Sequence, residues 1–112
     1  MLTSGEIVLL DLGVPQGHEA GFSRPTVVVT ANDVLAEEAP IVHVVPLTST
    51  IRHYTAEVLI DADGTNGLDA DSAAQCQHIR SVAASRLGPT TGSISPVQLR
   101  QIRETLGLLL DL

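Results

Sequence analysis

Short apolar runs separated by turn residues, and closed by one helical segment, are the feature that most constrains this fold. The runs are rich in β-branched residues and have the length of strands. They span residues 7–12, 25–30, 41–47, 54–61 and 75–82. The polar residues between the second and third runs leave room only for a short helical turn. This order predicts a mainly β protein, either a small antiparallel barrel or a partly open sheet.

The last segment has the signals of an α-helix. Ser95 suits the N-cap, Pro96 suits the first helical position, and Gln98 completes a capping box with Ser95. An apolar stripe follows at approximately helical spacing. It consists of Val97, Ile102, Leu106, Leu109 and Leu110. We therefore expect one C-terminal helix packed on the sheet.

Length, charge and composition narrow the class of protein. The chain has 112 residues, 44% hydrophobic and 17% charged, which fits one globular domain spanning residues 1–112. Its net charge is −7 and it has no lysine, which excludes a broad basic surface and leaves anion binding to a few arginines. The single cysteine, Cys76, indicates a buried thiol and argues against a metal site. The sequence shows no signal peptide or membrane-spanning run, so we expect a cytoplasmic protein without membrane contact.

The connection between the first two strands is long for a hairpin. It takes up residues 13–24, whereas hairpin loops usually have about two to five residues. It carries His18, Glu19 and Phe22, and it meets the second strand at Arg24. One interpretation is a solvated loop whose charges contribute little. The other is a binding wall that Arg24 joins to the rigid sheet.

Two further stretches combine polar groups at strand ends. In "PLTST" (46–50), Thr48 and Ser49 can donate to a phosphate oxygen or form an ordinary polar turn. In "QHIRSV" (77–82), the strand period of two places His78 and Arg80 on one face. That face is a modest anion site, unless Arg80 pairs with a carboxylate.

These stretches together resemble the MazF/PemK family, the toxins of bacterial type II toxin–antitoxin systems. The resemblance runs from about Ser4 to Leu110. It lies in "GEIVLLDL", "GHEAGFSRPTVVV", "VVPLTS" and "QHIRSV…SRLG", in this order, followed by the helix. It implies a small SH3-like (CcdB/MazF/PemK-type) barrel that forms a homodimer and binds a cognate antitoxin. It also implies a metal-independent endoribonuclease without cofactor, which cuts single-stranded RNA at short sequences and so stops translation and growth.

The resemblance also assigns residues. The family's catalytic arginine falls on Arg24, its catalytic Thr or Ser on Thr48, and its loop glutamate on Glu19. The residues expected to bind RNA are His18, Phe22, Ser49, His78 and Arg80.

The chain departs from the family pattern around the substrate, not at the catalytic pair. The loop reads Gly-His-Glu where Gly-Ser-Glu is usual, His78 stands where Gln is common, and Gln77 stands where many members have a carboxylate. These changes affect which RNA sequence is cleaved, and the family pattern therefore does not predict that sequence for this chain.

Metal-free RNA cleavage fits these residue types. An arginine fork holds phosphate oxygens with two parallel hydrogen bonds, and Thr48 can add a hydroxyl donor. Glu19 is the base that the resemblance implies, and His18 is the alternative because an imidazole titrates near neutral pH. The expected products carry a 2′,3′-cyclic phosphate and a 5′-hydroxyl. Phe22 either stacks on an RNA base or packs the loop onto the barrel.

Two other functions stay open for a chain of this kind. Toxins of the same fold bind DNA gyrase without chemistry, and an inactive homologue would only bind an antitoxin. RNA cleavage by the purified protein separates the enzyme from both.

Overall fold

Seven antiparallel strands and a C-terminal helix build the protein in a computed structural model that describes residues 1–112. The strands are β1 (Glu6–Asp11), β2 (Ser23–Val28), β3 (Ile41–Thr48), β4 (Glu57–Ile60), β5 (Ser72–Gln75), β6 (Arg80–Ala83) and β7 (Thr90–Ser93). The helices are α1 (Asn32–Leu35) and α2 (Pro96–Leu110), with single 3₁₀ turns at Cys76–His78 and Ala84–Arg86. The predicted mainly β class with one C-terminal helix is confirmed.

The strands form one open sheet in the order β4-β5-β3-β2-β1-β7, and β6 pairs with β3. The terminal strands β4 and β7 do not pair with each other, so the sheet is a half-barrel and not a closed one. β3 is the longest strand and organises the rest. One of its edges pairs with β2, and the other pairs first with β6 and then with β5.

The predicted strand 75–82 is wrong, because β5 ends at Gln75 and β6 begins at Arg80. Both strands pair with the same edge of β3. Leu47 lies opposite Ala74 and Val44 lies opposite Arg80. From Ala74 to Arg80 the chain advances six residues, whereas their partners on β3 are only three residues apart. The extra residues leave the hydrogen-bond ladder and form the 3₁₀ turn. His78 and Arg80 consequently do not alternate along one strand.

The core lies in two clusters, one on each face of the sheet. The first includes Ile7, Val27, Val45, Leu47 and, from α2, Ile102 and Leu106. The second includes Val8, Leu10, Val28, Val44 and, from α1, Leu35. Residues that neighbour one another along a strand fall into different clusters, as the strand period requires.

Helix α2 begins as the sequence predicts. Ser95 Oγ accepts a hydrogen bond from the backbone N–H of Gln98 at 3.1 Å, and Gln98 Oε1 accepts one from the backbone N–H of Ser95 at 3.0 Å. Ile102 and Leu106 are buried, whereas the other members of the expected stripe, Val97, Leu109 and Leu110, are exposed. The helix thus packs on the core through Ile102, Leu106 and the half-buried Leu99, and its last turn is exposed. No helix has the length and apolar character needed to cross a membrane.

Cys76 is a buried free thiol in the 3₁₀ turn, as expected. Burial raises its pKa to about 11. The thiol therefore stays protonated at neutral pH and is a poor nucleophile.

Candidate functional site

Arg24 and Thr48 are brought together by the pairing of β2 with β3. The register sets Thr26 opposite Pro46 and Val28 opposite Val44. Continued by two residues beyond Thr26, the same register sets Arg24 opposite Thr48. By strand alternation both lie on the face of the second core cluster, beyond the point where its apolar residues end. The catalytic pair implied by the resemblance therefore stands at the polar end of a rigid sheet.

A cleft of about 630 Å³ opens over this pair. Its wall comes from the β1–β2 loop, the ends of β3 and β5, the segment after β3 and the 3₁₀ turn. It is lined by Gly17, His18, Glu19, Ala20, Arg24, Thr48, Thr50, Arg52, Tyr54, Ala56, Gln75, Gln77 and His78. Five of the residues predicted from the sequence share this cleft, namely His18, Glu19, Arg24, Thr48 and His78.

Arg24 is held by two hydrogen bonds that aim its guanidinium. Its Nε donates to the Gly21 carbonyl at 3.1 Å, and its Nη1 donates to Gln75 Oε1 at 3.3 Å. Arginine carries five N–H groups, so the others are free to donate to a ligand. The half-buried side chain is thus oriented by the protein while its fork stays accessible.

Thr48 is oriented as a hydrogen-bond donor. Its Oγ1 accepts a hydrogen bond from the Thr50 amide at 3.1 Å, which leaves the hydroxyl proton free to point into the cleft. Glu19 lies in the β1–β2 loop, on the wall of the same cleft. Its Oε1 accepts a hydrogen bond from the backbone N–H of Gln16 at 3.1 Å. The second carboxylate oxygen has no protein partner and can accept a proton.

His78 is neutral at pH 7. Desolvation is the main reason that its pKa lies below the ordinary value, and the nearby guanidinium groups of Arg80, Arg24 and Arg52 lower the pKa further. The Glu19 carboxylate has the opposite, smaller effect and raises the pKa. The neutral ring offers one donor and one acceptor nitrogen. At this pH it can hydrogen-bond a base but adds no charge to the cleft.

Two smaller grooves continue the cleft on either side. One, of about 520 Å³, is lined by Glu19, Gln77, His78, Ile79, Arg80 and Ser81. The other, of about 400 Å³, is lined by Ser23, Arg24, Pro25, Leu47, Thr48, Ser49, Thr50, Leu68, Asp69, Ala70 and Ser72. Since each shares residues with the main cleft, the three form one groove, and Arg24 and Thr48 lie where the main cleft meets the second of the smaller grooves. Ser49 and Arg80 therefore lie in its two arms.

Phe22 does not line this groove. It closes the base of the loop, where its amide donates to the Gly13 carbonyl and its own carbonyl accepts from the Leu12 amide. Its backbone has a φ of 62°, and its side chain is 61% exposed. The exposed ring does not pack the loop onto the barrel.

Sequence reasoning missed Gln75, Arg52 and Tyr54 as cleft residues. Gln75 is 6% exposed and is buried at the end of β5, where it supports Arg24. The strand that carries it, SAAQ, also contains the polar Ser72, so no local pattern singles out Gln75. Arg52 and Tyr54 lie in the segment between β3 and β4, whose path across the cleft follows from no local pattern.

The sequence and the fold of this chain match those of one family of known proteins. A model of the PemK-like, MazF-like toxins of type II toxin–antitoxin systems matches residues 3–110. "Endoribonuclease MazF9" of Mycobacterium tuberculosis is 40% identical over 117 residues, covering 100% of this chain and 98% of that protein. Crystal structures of MazF and of MazE–MazF from Deinococcus radiodurans superpose with TM-scores of 0.82 and 0.74. The MazF chain is 26% identical to this chain, and the match covers 99% of this chain and 97% of that one. The chain in the MazE–MazF structure is 25% identical, and the match covers 99% of this chain and 96% of that one. The chain belongs to the PemK-like, MazF-like toxin family of type II toxin–antitoxin systems.

Proposed function

We propose that this toxin is an endoribonuclease that cuts single-stranded RNA in the groove, with Arg24 and Thr48 at the scissile phosphate. The observation that carries the proposal is that Arg24 and Thr48 line the same cleft, where the continued register of β2 and β3 sets the guanidinium opposite the hydroxyl. A relative 40% identical over the whole chain is named an endoribonuclease, which supports the same activity here.

Arg24 stabilises the charge that develops on the phosphorane. Its free N–H groups donate to the non-bridging oxygens, while its bonds to Gly21 and Gln75 keep the fork in place before substrate arrives. Thr48 donates its hydroxyl proton to the same phosphate. Such preorganised donors strengthen their bonds as negative charge builds up in the transition state.

Glu19 accepts the proton of the 2′-hydroxyl. The 2′-oxygen attacks phosphorus, the bond from phosphorus to the 5′-oxygen breaks, and the leaving oxygen takes up a proton. The products are a 2′,3′-cyclic phosphate and a 5′-hydroxyl. His18 is the alternative base, since it lines the same wall.

The cleft chemistry requires neither a metal ion nor a cofactor. Arg24 and Thr48 supply the donors to the phosphate, and Glu19 or His18 supplies the base. His18, Ser49 and His78 are suited to read bases along the groove, and Phe22 is an exposed ring beside its loop wall. The RNA sequence that is cleaved follows from these contacts.

The partners proposed are the RNA substrate, a cognate antitoxin and a second copy of the chain. The MazE–MazF structure from Deinococcus radiodurans supports an antitoxin partner. An acidic and apolar antitoxin segment laid over the groove would pair with Arg24 and mimic the RNA backbone. We place the protein in the cytoplasm, where its RNA substrate is, and expect a homodimer mass by sedimentation at micromolar concentration.

One assay tests the activity directly. The purified protein is incubated with a long RNA both in a magnesium buffer and in EDTA, and the new ends are mapped for 2′,3′-cyclic phosphate and 5′-hydroxyl groups. We expect cleavage that Arg24→Ala lowers by roughly 100- to 1,000-fold, the loss typical of one oxyanion donor. Absence of cleavage would leave gyrase binding or antitoxin binding alone as the function. Cleavage that EDTA abolishes would contradict the metal-free mechanism.

A further inference from the structure

Arg80 reaches from β6 to both ends of the β1–β2 loop. Its Nη1 donates to the Leu12 carbonyl and its Nη2 donates to the Ala20 carbonyl, each at 3.3 Å. The side chain is half-buried, and it uses both terminal nitrogens on backbone acceptors. A planar fork can bridge two separate carbonyls in this way, whereas an ammonium is a point donor.

The loop depends on such polar ties because it has almost no core of its own. Residues 13–19 contribute no buried side chain, and only Leu12, Ala20 and Gly21 at its two ends are buried. Arg24 holds the Gly21 carbonyl on one side, and Arg86 Nη2 donates to the Asp11 carbonyl at 2.9 Å on the other. Arg80 is the only one of these arginines that bonds to both ends.

We propose that Arg80 is a positioning residue that clamps the loop and thereby fixes Glu19 at the cleft. The carbonyl of Ala20 that it holds belongs to the residue directly after Glu19. Releasing that carbonyl frees the backbone that carries the carboxylate, and displacements of about 1 Å can cost about 100-fold in rate. Arg80 then acts through Glu19 and not through a phosphate.

Arg52 provides the contrast within the same groove. It is exposed and lines the main cleft, and its guanidinium makes one bond, from Nη1 to the Thr50 carbonyl at 3.3 Å. It has no tie to the β1–β2 loop. This placement suits Arg52 for contact with an RNA phosphate. Comparing Arg52 with Arg80 therefore distinguishes a phosphate ligand from a residue that clamps the loop.

The test compares Arg80→Gln, Arg52→Gln and Arg100→Gln, each of which removes one positive charge. Arg100 lies on the exposed side of α2, outside the groove, and is the charge control. Cleavage is measured as kcat and KM and as the slope of log(kcat/KM) against log salt concentration. Backbone amide exchange of residues 13–21 is measured on the same proteins without RNA.

For Arg80→Gln we expect kcat to fall by about 10- to 100-fold, with the salt slope unchanged and amide exchange in the loop accelerated. For Arg52→Gln we expect a slope shallower by about 0.7, the value for one phosphate contact on a single strand, with loop exchange unchanged. Arg80→Lys keeps the charge but offers one nitrogen in place of the two that reach Leu12 and Ala20. We therefore expect it to show the same fast loop exchange and most of the loss in kcat.

A shallower salt slope in Arg80→Gln, with loop exchange unchanged, would make Arg80 a phosphate ligand and overturn the proposal. Lower thermal stability with unchanged kcat in the folded fraction would also overturn it. The inference uses the proposed cleavage only as a readout. Because the exchange experiment needs no RNA, failure of the clamp and failure of the proposed function give different results.

Discussion

Gln75 is the residue whose replacement tests most directly how the site is built. It is buried beneath the cleft, and its Oε1 is the side-chain acceptor for Arg24 Nη1. Gln75→Met keeps the length and most of the volume of the side chain but removes the acceptor. Arg24 keeps its bond from Nε to the Gly21 carbonyl, so the variant loosens the guanidinium without removing it.

The expected loss follows from this one bond. Hydrogen bonds to charged groups contribute about 1.5–3 kcal/mol, and a 3.3 Å bond lies at the weak end of that range. About 1.5 kcal/mol corresponds to roughly a tenfold lower kcat. The melting temperature should change by less than about 5 °C, because Met is apolar in a buried position and the half-buried Arg24 can turn to water.

A double-mutant cycle with Arg24→Lys measures the coupling, and Gln101→Met on the exposed face of α2 is the matched control. We expect a coupling free energy of about 1.5 kcal/mol, so that Gln75→Met costs little once Arg24 is replaced. Losses that add, or an unchanged kcat in Gln75→Met alone, would show that Gln75 does not orient Arg24. A loss as large as that of Arg24→Ala would mean that Gln75 contacts the RNA itself.

Two other variants probe the groove and its loop. The pKa of His78 is lower in the folded protein than in the unfolded chain, so as pH falls the unfolded chain takes up the proton first. His78 therefore does not affect the free energy of unfolding above about pH 6.5 and lowers that free energy as pH falls through this value. His78→Gln should therefore lose less melting temperature than the parent between pH 7 and pH 5, and an identical pH dependence would contradict this. Phe22→Ala should lower cleavage by about tenfold or more if the exposed ring stacks on a base, with the melting temperature nearly unchanged; a lower melting temperature with intact activity would restore a packing role.

Local signals account for most of the fold. β1, β3 and the start of α2 follow from apolar runs and capping residues, which act over a few positions. The half-barrel and the break after Gln75 do not, because they depend on which strands share an edge of β3. A run such as 75–82 has strand composition throughout, and only the spacing of its partners on β3 forces the 3₁₀ turn.

The candidate site shows the same division. Arg24, Thr48 and Glu19 were predicted through the resemblance, and the pairing of β2 with β3 explains why two residues far apart in sequence come together. The support from Gln75 and the ties from Arg80 to Leu12 and Ala20 were not predicted. They join groups distant in the chain, and no periodicity or spacing encodes them.

The distribution of arginines sets how the protein meets a polyanion. With a net charge of −7, the surface as a whole repels RNA, and attraction depends on the groove. Arg80 and Arg86 use terminal nitrogens on loop carbonyls, whereas Arg24 bonds to the loop only through Nε and Arg52 does not bond to it. Arg24 and Arg52 are therefore the arginines placed to contact phosphates. Above the pKa of His78 the ring adds no charge. Two phosphate contacts on a single strand predict a slope of about −1.4 for log(kcat/KM) against log salt concentration at pH 7.5. A slope of about −2.8 would require four contacts, and the tied arginines would then have to leave the loop when RNA binds.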